Sequence, residues 1–210
     1  MSTEYPDVEQ KLATARTRLI LDKPFLGALV LRLPMVAGDP KWCESTFSDG
    51  KTFYYNPDYI DALDADQTQF ALSHEALHCA LSHFHRRGHR VKHRWDITCD
   101  MAINPLLIKD GLKPPPGVLL QSGFEGMMAE EIYPYIDDDM DEETHDDHFY
   151  DEENKSGGES GDNPLDQDQE PGSGDAQGGA SGQSQADSDQ DGNSPRPLSE
   201  NEQEQLEVQW

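Results

Sequence analysis

Residues 64–88 read DADQTQFALSHEALHCALSHFHRRG, and this stretch decides the fold. Its large apolar side chains recur at the spacing of one helical face, at Phe70, Leu77, Leu81 and Phe84. Asp64 or Asp66 would cap the amino end of such a helix, and Gly88 suits the position just after its carboxyl end. The pattern therefore predicts one long amphipathic helix that packs against a core.

The middle of this helix carries His74-Glu75-Ala-Leu-His78, an HExxH sequence. Residues four apart lie on one helical face about one turn apart, so both imidazoles can reach a single tetrahedral metal ion. On a helical wheel the two histidines fall beside Leu77 and Leu81, which predicts that they face the core. We therefore predict zinc or a similar divalent ion here, in preference to a core histidine pair satisfied by other polar groups. Glu75 is the candidate general base.

A third ligand is expected from the next helix, in RWDITCDMAIN. Asp96, Asp100 and Asn104 form a polar stripe at i, i+4 and i+8 on an otherwise apolar segment. A buried polar stripe is unfavourable unless its groups are satisfied. Asp100, in the middle, is predicted to ligate the metal, with Asp96 or Asn104 orienting a ligand. The alternative is that Asp96 caps the helix and Asp100 faces water.

The other histidines are weaker candidates for the third ligand. On an unbroken helix His83 falls on the solvent side, and His85 lies about 10 Å further along the axis than His78. His89 and His93, in the connecting segment, are the reserve candidates.

The remaining periodicities predict an α+β fold. The chain would begin with a helix over 8–22 and a buried strand within 25–36. A β-hairpin over 44–56 would turn at Asp49-Gly50 in a type I′ turn. A helix starting near Arg94 should end or kink at Pro105. The segment GMMAEEIYPYI is predicted to form a last short helix.

Charge divides the chain into two parts. Residues 1–136 hold 18 of the 42 acidic and 14 of the 16 basic residues, so the large negative charge falls on 137–210. Residues 151–199 contain almost no large apolar side chain, which predicts disorder. We expect a globular domain over 1–136 followed by an acidic, largely disordered tail over 137–210. The acidic balance argues against nucleic-acid binding, which needs clustered Lys and Arg.

The remaining features indicate a cytoplasmic chain. The longest apolar stretch, 25–36, is interrupted by Arg32 and Pro34 and is too short to span a membrane. The first residues have neither the basic nor the apolar region of a signal peptide. The three cysteines form no CxxC pair, and Cys79 and Cys99 are interpreted as small buried apolar residues.

Two segments of the sequence resemble a known family. HEALHCALSHFHRRGHR followed by WDITCDMAIN is similar to the metallopeptidase domain that precedes a von Willebrand factor A-like domain in bacterial and phage proteins. The family pattern is HExxHxxxxHxxR, a short gap, and then W-x-x-A-x-D-x-x-x-N. This sequence has Thr98 at the alanine position and keeps the rest of the pattern at His74, Glu75, His78, His83, Arg86, Trp95, Asp100 and Asn104.

The resemblance implies a zincin-like fold, in which a small antiparallel sheet packs on the helix that bears the HExxH motif. It also implies zinc-dependent hydrolysis of a peptide or protein substrate. His74, His78 and Asp100 would be the ligands and Glu75 the general base. Because family members continue through an acidic linker into the A-like domain, we expect either a separately encoded A-like partner or a naturally truncated chain.

A second class of function fits the same residues. The domain would then be a non-catalytic adaptor that zinc stabilises and whose acidic tail binds a partner. Both hypotheses require the metal. They differ at Glu75, because an adaptor does not need a general base.

Overall fold

The computed structural model describes residues 5–137, 147–148, 195–196, 199, 201–202, 205, 208 and 210. These residues belong to one compact unit, formed by Met1–Glu152 and Asn193–Trp210. The predicted α+β class is confirmed. The helices are α1 (Pro6–Asp22), α2 (Pro24–Val30), α3 (Pro57–Ala62), α4 (Ala65–Ala80), α5 (His83–Arg86), α6 (Lys92–Lys109) and α7 (Ala129–Ile132). The strands are β1 (Met35–Ala37), β2 (Thr46–Ser48), β3 (Phe53–Tyr55) and β4 (Asp147–His148).

The small sheet is mixed, and the expectation of an antiparallel sheet is wrong. Its order is β1-β3-β2-β4. β2 and β3 form the predicted antiparallel hairpin, whereas β1 runs parallel to β3 and β4 runs parallel to β2. β3 lies between β1 and β2 in the sheet. The segment that joins β1 to β2 reverses the chain, so β1 and β2 run in opposite directions. Because β3 is antiparallel to β2, it must run parallel to β1.

The hairpin turn has four residues and is not the predicted two-residue type I′ turn. Ser48 pairs with Phe53, and Asp49 Oδ1 accepts hydrogen bonds from the backbone N–H of Lys51 at 2.8 Å and of Thr52 at 2.7 Å. A type I′ turn needs positive φ at both central residues. Here Gly50 has a φ of 80°, whereas Asp49 does not adopt positive φ.

The apolar stretch 25–36 contains a helix, α2, before its only strand, so the expectation of a single buried strand is wrong. Pro24 occupies the first turn of α2, where a missing backbone N–H is tolerated. α2 packs closely on α1, because a Cβ at Gly27 would lie 2.6 Å from Ile20 Cα. α2 also packs on α4, which lies far along the chain, and the local apolar run does not reveal this packing.

Helix α4, which carries the HExxH sequence, begins where the sequence predicts and ends earlier than predicted. Asp64 caps α4 by accepting from the backbone N–H of Asp66 and Gln67, and the Gln67 side chain completes a capping box. α4 ends at Ala80. Ser82 then adopts a left-handed conformation with φ of 53°, and the short helix α5 follows in a new direction. The expectation of one unbroken helix through 87 is therefore wrong.

The helix α6 continues through Pro105 to Lys109, so Pro105 does not end it. Proline removes one backbone hydrogen bond, and burial of the apolar residues of α6 on both sides of Pro105 offsets that loss. The core lies between α1, α4 and α6, around Leu19, Phe70, Ile97 and Ile103, each at most 1% exposed. The final apolar segment forms α7 and a 3-10 turn over Tyr133–Tyr135, as predicted. None of the described helices is long and apolar enough to cross a membrane.

Most of the predicted disordered tail lies outside the described residues, and the domain boundary near 136 stays a prediction. The described residues at the end of the chain contact the domain at the hairpin. Trp210 Nε1 donates to Gly50 O at 3.2 Å, and Glu202 pairs with Lys51 at 2.9 Å. The guanidinium of Arg32 lies 4.8 Å from the centre of the Trp210 ring. The last residues therefore belong to the folded unit.

Candidate metal centre

His74 and His78 lie one turn apart on α4 and point the same ring nitrogen at each other. Their Nε2 atoms are 3.1 Å apart, and the residues are 0% and 1% exposed. The capping box fixes the start of α4, and the apolar residues on the same face turn both imidazoles inward. The sequence prediction that both histidines face the core is confirmed.

Asp100 comes from α6 and completes a triangle with the two histidines. Its Oδ1 lies 3.4 Å from His74 Nε2 and 3.3 Å from His78 Nε2. A tetrahedral zinc ion with bonds of about 2.0–2.1 Å holds its ligand atoms about 3.3–3.4 Å apart. The three observed edges, 3.1, 3.3 and 3.4 Å, therefore match one face of such a tetrahedron. The donor set fits a divalent metal ion, and Asp100 does not face water, as it is fully buried.

The charges buried around this triangle are negative. Among the residues that the structure describes, the buried acidic side chains are Asp49, Glu75, Asp96 and Asp100, and no lysine or arginine is buried. Asp49 is satisfied by the backbone of its turn, and Asp96 pairs with the partly exposed Lys92 at 2.9 Å. Glu75 lies fully buried on α4 beside His74, and Asp100 lies in the triangle itself. The interior at the triangle is therefore anionic, which suits a divalent cation.

His83 is buried beside the triangle, which corrects the prediction that it faces solvent. It is 3% exposed, and its Nδ1 lies 3.4 Å from His78 Nδ1. The left-handed Ser82 breaks the helix and turns His83 inward. Its backbone carbonyl accepts a hydrogen bond from Trp95 Nε1 at 2.9 Å. The helical wheel missed His83 because it assumes a continuous helix. A signal was present, since the family pattern keeps a histidine at this position.

The remaining candidate ligands lie elsewhere. His85, His89 and His93 are exposed, and the one group of metal-ligand type found in the described part of the chain contains only His74, His78 and Asp100. Asn104 is buried, and its Nδ2 donates to Leu119 O at 3.0 Å. This bond holds the segment after α6 against the helix. Asp96, paired with Lys92, stabilises the first turns of α6.

The cysteines next to the site are buried thiols, as interpreted from the sequence. Burial raises the pKa of Cys79 and of Cys99 well above that of an exposed thiol, so both stay protonated at neutral pH. Cys79 Sγ lies 3.4 Å from Ser48 Oγ, and this contact places β2 directly against α4. All three cysteines are free.

One cavity approaches this centre without reaching the ligands. It has a volume of about 150 Å³ and lies between α5, α6 and the start of α7. His83, Arg86, Leu106 and Met127 are among its lining residues, and none of the three candidate ligands is. The ligands are therefore screened from the cavity by at least one layer of side chains.

A family model described as "Putative metallopeptidase domain" matches residues 7–210, nearly the whole chain. The chain belongs to this family. No curated protein and no solved structure matches it.

Proposed function

We propose that this member of the metallopeptidase-domain family is a zinc peptidase, which hydrolyses peptide bonds with water. The observation that carries the proposal is the buried triangle of His74 Nε2, His78 Nε2 and Asp100 Oδ1, with Glu75 on the same helix. The edges of the triangle suit zinc–nitrogen and zinc–oxygen bonds. The packing of β2 on α4 through Ser48 and Cys79 supports a zincin-like arrangement of the sheet on this helix.

The number of ligands favours a catalytic site. Structural zinc sites are usually closed by four protein ligands, whereas catalytic sites use three and leave one position open. The described part of the chain supplies three. When bound, zinc would polarise the scissile carbonyl and lower the pKa of a coordinated water towards neutrality.

Glu75 would move the protons of the reaction. Its carboxylate accepts a proton from the attacking water and then delivers that proton to the leaving amine nitrogen. The side chain is fully buried, and it extends from the residue next to His74. Asp100, as the anionic ligand, would partly neutralise the metal and hold α6 against α4.

The substrate would bind as an added strand on the sheet. β2 is the strand in contact with α4, so its edge lies nearest the metal helix. Edge strands bind extended peptides through their backbone groups. β4 already pairs with Phe47 and Ser48 of β2 over two residues. A substrate that uses this edge would have to displace that short pairing.

The alternative is an adaptor in which zinc is structural. The observation in its favour is burial, since the three candidate ligands are at most 1% exposed and the cavity lined by His83 does not reach them. A structural site needs no access for substrate. A peptidase of this form would have to open before it acts.

Substitution of Glu75 separates the two functions. Glu75→Gln keeps the shape of the side chain and should leave zinc content at about one ion per chain. Peptide-library cleavage should fall by about 10²–10⁴-fold, because the general base is lost. Zinc content would be measured by elemental analysis and cleavage by mass spectrometry. Zinc-loaded wild type that cleaves no peptide, or a Glu75→Gln variant that cleaves as wild type does, would favour the adaptor.

A further inference from the structure

We infer that His83 is a positioning residue, which accepts a hydrogen bond from His78 and so holds His78 Nε2 toward the metal. The inference rests on the proposed metal site. It concerns how this chain orients one of its ligands, and it holds for a catalytic and a structural ion alike.

The two nitrogens of His78 face different partners. Nε2 lies in the triangle, 3.1 Å from His74 Nε2 and 3.3 Å from Asp100 Oδ1. Nδ1, on the other side of the ring, lies 3.4 Å from His83 Nδ1. The two rings are nearly perpendicular, at 88°, with centroids 5.1 Å apart. One nitrogen of His78 is therefore a corner of the triangle, and the other nitrogen faces His83.

The chemistry of imidazole assigns the protons. A neutral imidazole has one N–H and one lone pair, and a metal ligand must present its lone pair. With Nε2 used for the metal, the proton of His78 sits on Nδ1 and can be donated. His83 Nδ1 then accepts it, which places the proton of His83 on its own Nε2. Histidine ligands generally donate their second N–H in this way, which fixes the tautomer and the ring orientation.

The local fold holds His83 in place for this contact. On an unbroken helix His83 would lie about 140° round the axis from His78 and could not meet it. The left-handed Ser82 changes the chain direction, and Trp95 Nε1 anchors the His83 carbonyl at 2.9 Å. Trp95 is itself 1% exposed and sits on α6, the helix that carries Asp100. α6 therefore supplies one ligand and also fixes the residue that orients another.

The first test measures zinc affinity by competition with a chelator. His83→Phe keeps a ring of similar size but removes the acceptor, and it should weaken zinc binding by about 10–100-fold. His83→Asn restores an acceptor oxygen and should recover part of the affinity. The matched control is His85→Phe, at an exposed position of the same helix α5, which should stay within about threefold of wild type.

The second test uses the zinc-loaded protein and does not depend on cleavage. With zinc held at Nε2, ¹H–¹⁵N NMR of the His78 ring should show an Nδ1–H proton shifted downfield by its hydrogen bond to His83. His83→Phe at saturating zinc should move this resonance upfield, and His85→Phe should not. A folded His83→Phe variant with wild-type zinc affinity and an unchanged Nδ1–H resonance would overturn the inference. A wild type that binds zinc and shows this resonance but cleaves no peptide would contradict the proposed peptidase function and leave the inference standing.

Discussion

Asp100 is the residue whose contribution to the proposed metal site is most open to measurement. It supplies the only anionic atom of the triangle, and it comes from a different helix than the two histidines. Asp100→Ala should weaken zinc binding by more than the roughly 10–100-fold typical of outer partners. Asp100→Asn keeps an oxygen but loses the charge, so its defect should be intermediate.

The control for this prediction is Asp96, one turn earlier on α6. Asp96→Asn alters the pairing with Lys92 and leaves the triangle intact, so zinc affinity should stay near that of wild type. Both affinities are measured by chelator competition. Equal effects of Asp96→Asn and Asp100→Asn would remove Asp100 from the ligand set.

His74, His78 and Asp100 could be proposed as ligands from the sequence, whereas the helical wheel placed His83 on the wrong side and only the family pattern pointed to it. The spacing of His74 and His78 fixes their relation on any helix, and the polar stripe of α6 marks Asp100 as buried and in need of a partner. His83 depends on one residue, Ser82, in a left-handed conformation that serine adopts only when the surrounding structure imposes it.

At the scale of the elements, the break between α4 and α5 has a testable energetic consequence. A non-glycine residue in the left-handed region costs about 1–2 kcal/mol. Ser82→Gly should relieve most of this strain, and the greater freedom of glycine in the unfolded chain offsets part of the gain. We expect the free energy of unfolding in urea to rise by about 0.5–1 kcal/mol. Ser82→Val should lower the stability and also weaken zinc binding, because it displaces His83. A Ser82→Gly variant that is clearly less stable than wild type would contradict this account.

The stability that the contact between α5 and α7 contributes should depend on pH. Arg86 Nε donates to Glu130 Oε1 at 2.9 Å, and Arg86 also donates to Leu81 O at the end of α4. Partial burial by itself would raise the pKa of Glu130. The hydrogen bond from Arg86 and the charges of Arg86 and Arg90 outweigh that effect and hold the pKa below the ordinary 4.5.

A lowered carboxyl pKa in the folded state stabilises the fold above about pH 4.5, and this stabilisation is lost as the pH falls through the folded pKa. Glu130→Gln should therefore lower the melting temperature at pH 7, by about 1–3 °C because solvent screens this partly exposed pair. The difference from wild type should shrink as the pH is lowered below 4.5. A difference that persists or grows in acid would exclude the ion pair as its cause.

At the scale of the whole molecule, the end of the chain returns to the hairpin. Trp210 donates to Gly50 O and lies against Arg32, while Glu202 pairs with Lys51. Trp210→Ala should lower the free energy of unfolding by about 1–2 kcal/mol through the lost hydrogen bond and cation–π contact. Zinc affinity should not change, because the candidate ligands all lie on α4 and α6. The matched substitution is Val208→Ala at a 90% exposed position, which should have almost no effect.

A chain that ends after residue 150 should reproduce the stability loss of Trp210→Ala and keep its full zinc content. Urea unfolding and elemental analysis of the two proteins decide this. A truncated chain as stable as wild type would show that the end of the chain adds nothing to the fold. A much larger loss, or loss of zinc, would show that other residues beyond 150 support the domain.

The sequence by itself determined the features that depend on neighbours along the chain. The capped start of α4, the inward face of His74 and His78, the first helix and the hairpin all follow from side-chain periodicity and capping over a few residues. Only the tertiary structure decided that 24–30 is helical, that β1 runs parallel to β3, and that His83 is buried. It also brought Asp100 to within 3.4 Å of both histidines. These features depend on packing between segments far apart in the sequence, and that packing favours a conformation, such as the left-handed Ser82, that no local preference predicts.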